Sequence, residues 1–168
     1  MSRGFVKEDD QEEVPIVPQR AYLPEGMTNF VTPSGMNQLL DEKQSLIDEK
    51  NNLSGFNENE KRITLNYINA KLQLLNDRIV ASKIVNMNEQ PQNEIRFGAM
   101  VTLKTEASEN TQVFQIVGVD EANISRGKVS FMSPIARALI NKVNGNKVTL
   151  KQAGKDIVFE ITNISYIR

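Results

Sequence analysis

The stretch Ser130-Phe131-Met132-Ser133-Pro134-Ile135-Ala136-Arg137-Ala138-Leu139 reads as the end of a strand, a tight turn, and a helix that opens on a proline. Ser133 suits the N-cap, because its hydroxyl can accept a hydrogen bond from the unpaired N–H groups of the first turn. Pro134 suits the first helical position, where its missing N–H would have no partner anyway. Outward from this stretch, Ile95-Arg96-Phe97, Ala99–Lys104, Gln112–Val119, Gly127–Phe131, Lys147–Leu150 and Asp156–Ile164 are rich in Val, Ile and Phe and read as strands. Asn144-Gly145-Asn146 and Gln152-Ala153-Gly154-Lys155 are hairpin-type connections. One short helix among many strands predicts a small α+β domain over residues 94–168.

Residues 31–86 have a different texture. Apolar residues recur as Met36, Leu39, Leu40, Leu46, Ile47 and Leu53, and again as Leu65, Ile68, Leu72, Leu75 and Ile79. Spacings that alternate between three and four give each helix one narrow apolar seam. Thr32-Pro33 has the N-cap and first-turn pattern, and Ser54-Gly55-Phe56-Asn57 breaks the period with a turn. The prediction is an antiparallel coiled-coil hairpin about 30–35 Å long, at about 1.5 Å of rise per residue. Heptads do not distinguish pairing within one chain from pairing between two, so a dimerising coiled coil stays open as a structural alternative. The hinge to the following domain falls in the polar stretch Asn86–Asn93, centred on Pro91.

Residues 1–30 read as an extended arm. Asp9-Asp10-Gln11-Glu12-Glu13 is a solvated charge run, and Pro15, Pro18 and Pro24 disfavour helix. Val14-Pro15-Ile16-Val17-Pro18 is apolar enough to lie along a surface as a polyproline-like strand.

Composition narrows the chemistry. The 168 residues include no cysteine and no histidine, which excludes Cys or His nucleophiles, His general bases and the usual zinc ligand sets. Any metal here would be a hard cation on oxygen ligands, and no cofactor is expected. No apolar run approaches the roughly 20 residues of a membrane span, so a cytoplasmic protein is expected. The net charge of −1 hides an uneven distribution, acidic over residues 1–30, but no segment is strongly basic, which argues for a protein partner over direct nucleic-acid binding.

Several elements together resemble the bacterial Gre transcription elongation factors (GreA/GreB-like). Asn93-Glu94-Ile95-Arg96-Phe97-Gly98 and Val101-Thr102-Leu103 look like the family's entry strand. Ile116-Val117-Gly118-Val119-Asp120-Glu121-Ala122-Asn123 resembles its V-G-x-x-E-A-D element. Gly127-Lys128-Val129-Ser130 followed by Ser133–Leu139 resembles its I-S…S-P-I-A-R-A-L element, and Gly145-Asn146-Lys147-Val148 stands where the family has G-D-x-V. Tyr22-Leu23-Pro24 and Phe30-Val31-Thr32-Pro33-Ser34-Gly35 resemble the opening of its finger.

That resemblance implies an FKBP-like fold of antiparallel strands for the C-terminal domain, docked on the rim of the RNA polymerase secondary channel with the finger inside it. Nucleic acid would then be met only through the elongation complex, by a monomeric protein. Phe131, Met132, Ser133, Pro134, Ile135 and Arg137 are the candidate polymerase contacts, because their apolar surface exceeds what a small core absorbs. In the family, acidic residues at the finger tip help hold a magnesium ion that hydrolyses backtracked RNA. The corresponding tip here is Gly55, Phe56, Asn57, Glu58, Asn59 and Glu60, followed by Lys61. Laying Glu58-Asn59 on the family's E-N puts Gly55 where the family has its aspartate. Glu58 and Glu60 are the remaining metal candidates, but Asn57 with Glu60 three residues on also forms a capping-box pattern, and that reading is preferred. The finger also looks at least about one heptad short, or roughly 10 Å, a feature shared with the regulator of nucleoside diphosphate kinase, another branch of the family. The expected function is polymerase regulation without efficient cleavage and without enzymatic activity of its own. A genuine cleavage factor using Glu58 and Glu60 is the alternative. Prolyl isomerase activity, which the FKBP-like fold would allow, is disfavoured because Phe97, Phe114, Phe131, Phe159 and Tyr166 sit at core-like positions.

Overall fold

Thr32 and Asn57 start the two long helices for the reasons their side chains suggest. In the computed structural model, which describes residues 14–167, the Thr32 hydroxyl accepts from the Gly35 N–H at 2.9 Å at the start of α1 (Pro33–Asn51). Asn57 and Glu60 close a reciprocal capping box at the start of α2 (Glu58–Val80). The intervening residues 52–57 form the loop at the finger tip. Leu39 and Leu46 of α1 face Ile68 and Leu75 of α2, one heptad apart on each helix, with Met36, Leu72 and Ile79 packed alongside. The seam is therefore closed within one chain. Leu40 and Ile63 fall off it and stay exposed. The acidic run Asp9–Glu13 lies outside the described residues.

At its base the hairpin carries a feature that the apolar pattern does not announce. β1 (Asn29–Val31) and β2 (Ser82–Ile84) pair in parallel, joining the entry of α1 to the exit of α2. Asn29 is fully buried there, and its side-chain amide donates to the Ser82 hydroxyl at 3.0 Å. The polar stretch that follows contains a 3₁₀ turn, Met87–Glu89, whose Met87 is buried beneath Gly98.

The C-terminal part is a five-stranded sheet built from β3 (Ala99–Thr105), β4 (Thr111–Val117), β5 (Lys128–Ser130), β6 (Lys147–Gln152) and β7 (Lys155–Tyr166), in the spatial order β5-β4-β3-β7-β6. The helix α3 (Pro134–Leu139) is capped by Ser133, whose hydroxyl accepts from Ala136 N–H at 3.2 Å. Ala136 and Leu139 enter the same core as Val101, Leu103, Ile116, Val129, Phe159 and Ile161. The α+β architecture of helical hairpin and sheet domain is therefore present, with two corrections. β5 runs parallel to β4, not antiparallel, because residues 118–127 cross over before the chain rejoins the sheet. Residues 95–97 form no strand: Ile95 instead exchanges backbone hydrogen bonds with Lys142 and Asn141 after α3, and the Tyr166 hydroxyl donates to the Glu94 carbonyl at 2.6 Å. Burial of that phenol raises its pKa above the ordinary value.

Candidate functional site

The finger has two ends of very different construction. At the tip, residues 54–60 are all exposed. Glu60 accepts from the Asn57 backbone N–H at 3.1 Å, and the Asn57 side chain accepts from the Glu60 N–H at 2.9 Å. Glu58 is 95% exposed and lies 3.6 Å from Lys61. Arg62 donates to the Asn59 side chain at 3.0 Å. Gly55 has a φ of +99° and contributes no side chain. One tip carboxylate is thus held back by its own helix, the other is beside an ammonium, and the two do not form a facing pair. Phe56 is the large apolar side chain the loop presents to solvent.

At the root the polar groups are buried and paired across the chain. The Thr32 hydroxyl, besides accepting from Gly35, donates to Glu121 Oε2 at 2.6 Å. The Glu121 side chain is only 3% exposed, and its other oxygen takes Lys128 Nζ at 3.2 Å. Gly35 has a steric reason to be glycine, since a Cβ there would lie 2.7 Å from Glu121 Oε2. Gly118 is similarly pressed: its Cβ would fall 2.6 Å from the Phe30 carbonyl. The T-P-x-G opening of the finger and the V-G-x-x-E element of the sheet domain are therefore two halves of one joint. The Thr32 hydroxyl, the Glu121 carboxylate and the Lys128 ammonium inside it are satisfied by one another, as burial requires.

Aromatic packing completes the joint. Phe30 from β1 meets Phe97 at 6.0 Å and Phe131 at 5.7 Å between ring centroids, and Phe97 meets Phe131 at 5.7 Å in an edge-to-face contact. Such edge contacts are favourable geometries beyond simple burial. Phe131, expected on a docking surface, is turned inward to hold the hairpin, and Phe97 joins it there. Of the other residues in that segment, Met132, Ser133 and Ile135 are half-buried, while Pro134 and Arg137 are exposed. The available surface of the segment is therefore the start of α3, not the strand end.

Asp120 adds a second polar contact beside Glu121. It sits between Arg20 of the arm, at 3.0 Å, and Arg78 of α2, at 3.4 Å. Asp120 and Glu121 belong to a recognisable element, yet their partners Arg20 and Thr32 lie 100 and 89 residues away, and nothing local in the sequence marks that pairing.

The architecture is thus a helical hairpin joined by a buried polar and aromatic root to a small α+β domain. Residues 90–166 match the family model described as transcription elongation factor, GreA/GreB, C-term. Transcription elongation factor GreA of Bartonella henselae is 37% identical over 97 residues, which cover 58% of this chain and 62% of that protein. GreA of Maricaulis maris is 33% identical over 100 residues, covering 60% and 64% respectively. The chain thus spans less than two thirds of the length of these relatives. A solved structure of the GreA factor homolog 1 (Gfh1) protein of Thermus thermophilus aligns over 82% of this chain and 99% of its own, at 19% identity and a TM-score of 0.40. Residues 90–166 thus match the C-terminal domain of the GreA/GreB transcription elongation factors, and in that part the chain is similar to the GreA proteins.

Proposed function

We propose that this chain is a transcription elongation regulator that binds RNA polymerase without efficient stimulation of transcript cleavage. The sheet domain sits on the rim of the secondary channel, and the finger enters the channel. The match of residues 90–166 to the GreA/GreB C-terminal domain supports the polymerase as partner. The observation that carries the rest is the capping box at the tip, which ties the Glu60 carboxylate to the Asn57 backbone. Recruiting a hard divalent cation that keeps most of its waters depends on the number and placement of carboxylates. With Gly55 lacking a side chain, Glu60 committed to its helix and Glu58 beside Lys61, the tip offers at most one weakly held ligand. The protein acts as a monomer, meets nucleic acid only through the elongation complex, and works where the polymerase works, in the cytoplasm. On the sheet domain, Pro134 and Arg137 with the flanks of Met132 and Ile135 make the docking surface, while Phe131 supports it from behind.

The test has two stages. Tagged protein should retain core RNA polymerase in a pull-down, and a Met132→Asp/Ile135→Ser variant that still melts cooperatively should lose most of it. Added to backtracked elongation complexes, the protein should release few short 3′ RNA fragments. Cleavage comparable to that of a genuine Gre factor, abolished by Glu58→Ala or Glu60→Ala, would replace this reading with that of a cleavage factor.

A further inference from the structure

We propose that residues 18–23 form a strap that locks the finger onto the sheet domain, with Arg20 as its clasp. The strap belongs to no helix or strand, yet the Arg20 side chain is only 18% exposed. Its guanidinium makes a two-pronged contact with Glu42 of α1, Nη1 to Oε1 at 2.8 Å and Nη2 to Oε2 at 3.0 Å. From its other edge, Nε donates to Asp120 Oδ1 of the β4–β5 connection at 3.0 Å. Arg78 of α2 closes the ring, lying against Asp120 Oδ2 and donating to the Ala21 carbonyl of the strap itself. Four charges that sum to zero thus come from four separate parts of the chain: the strap, α1, α2 and the sheet domain.

Arginine suits this position because its planar fork satisfies a carboxylate on one side while its remaining N–H reaches another. The hydrogen bond that Arg20 donates to Glu42 is the main influence that raises the Arg20 pKa, so the guanidinium stays charged throughout. The neighbouring contacts show why a clasp is useful. Asp120 and Arg78 tie α2 to the sheet domain without help, whereas Glu42 reaches Asp120 only through Arg20. The strap therefore adds a second hold on α1, at Glu42, beyond the one that Thr32 makes to Glu121 at the start of the helix. Leverage makes that matter at the tip. Over a finger of about 34 Å, a rotation of roughly ten degrees at the root moves the tip by about 6 Å.

The functional value of the strap rests on the reading of the finger as a channel probe, but the lock itself does not. Because the chain has no cysteine, spin labels can be placed on full-length protein through two introduced thiols, Asn59→Cys at the tip and Lys151→Cys on the exposed side of β6. The distance distribution between them, measured by pulsed electron resonance, should be narrow in the parent. It should broaden by about 6 Å in Arg20→Met and in Glu42→Gln, with unchanged helical circular dichroism. The double variant should broaden no further than Arg20→Met alone, because the two residues share one clasp. Distributions as narrow as the parent's in Arg20→Met and in the charge reversal Arg20→Glu would overturn the strap. Such a result would leave polymerase binding untouched, since the labels report without polymerase. Failure of the parent to retain polymerase would overturn the channel reading and leave the strap standing.

Discussion

The root and the tip of the finger use the same residue types for opposite ends. Both have an N-cap side chain at a helix start and a glutamate that accepts a hydrogen bond. At the root, the cap is Thr32 and the glutamate is Glu121, drawn from 89 residues away and nearly sealed from water. At the tip, the cap is Asn57 and the glutamate is Glu60, three residues on and fully in solvent. A buried charge fixes one geometry, because any displacement leaves an unpaired group in a dry place. An exposed one exchanges freely with water and fixes only the turn of helix it caps. The root is therefore where this molecule invests its polar specificity, and the tip is chemically plain.

That contrast can be broken or sharpened by substitution, and five variants should fall in a definite order of effect on thermal stability. The largest belongs to the seam that holds the two helices together. Leu75 is fully buried on the root half of α2, and Leu75→Ala should cost about 3 kcal/mol through lost burial and the cavity left behind. Next comes Glu121→Ala, which strips the Thr32 hydroxyl and Lys128 of their shared partner and should cost about 2 kcal/mol. Gly35→Ala should fall close to it, since its Cβ displaces the same carboxylate. Asn57→Ala removes the tip cap and should cost about 1 kcal/mol, read as fraying of the first turn of α2 in hydrogen exchange. Glu58→Ala should be smallest, under about 0.5 kcal/mol, because an exposed pair with Lys61 contributes little. A loss for Asn57→Ala as large as that for Glu121→Ala would erase the distinction between the two ends.

Much of the root was hidden in the sequence for a simple reason. Local signals report local physics. Thr32-Pro33, Asn57 with Glu60, and Ser133-Pro134 are caps whose partners lie within three residues, and all three take the conformations their side chains predict. Heptad spacing likewise marks Leu39, Leu46, Ile68 and Leu75, because a helix repeats its face at fixed intervals. The joint has no such period. Phe131 looks like surplus apolar surface beside a helix cap until Phe30 and Phe97 are folded against it. Asp120-Glu121 looks like a solvated acidic pair until Arg20, Arg78, Thr32 and Lys128 surround it. The parallel course of β5 is unmarked for the same reason, since alternation along a strand records which face is buried but not the direction of its neighbour.

Under the proposed function, the root and not the acidic tip determines the effect on the polymerase. That claim is tested most directly by titrating the protein into backtracked elongation complexes whose cleavage is driven by a genuine Gre factor. The account predicts that cleavage falls as the channel is occupied. The half-inhibitory concentration should stay within about twofold for Glu58→Ala and Glu60→Ala, and should rise at least about tenfold for Glu121→Ala, equivalent to about 1.4 kcal/mol of lost binding. Inhibition that survives Glu121→Ala but vanishes with Glu58→Ala or Glu60→Ala, or added protein that accelerates cleavage, would contradict it.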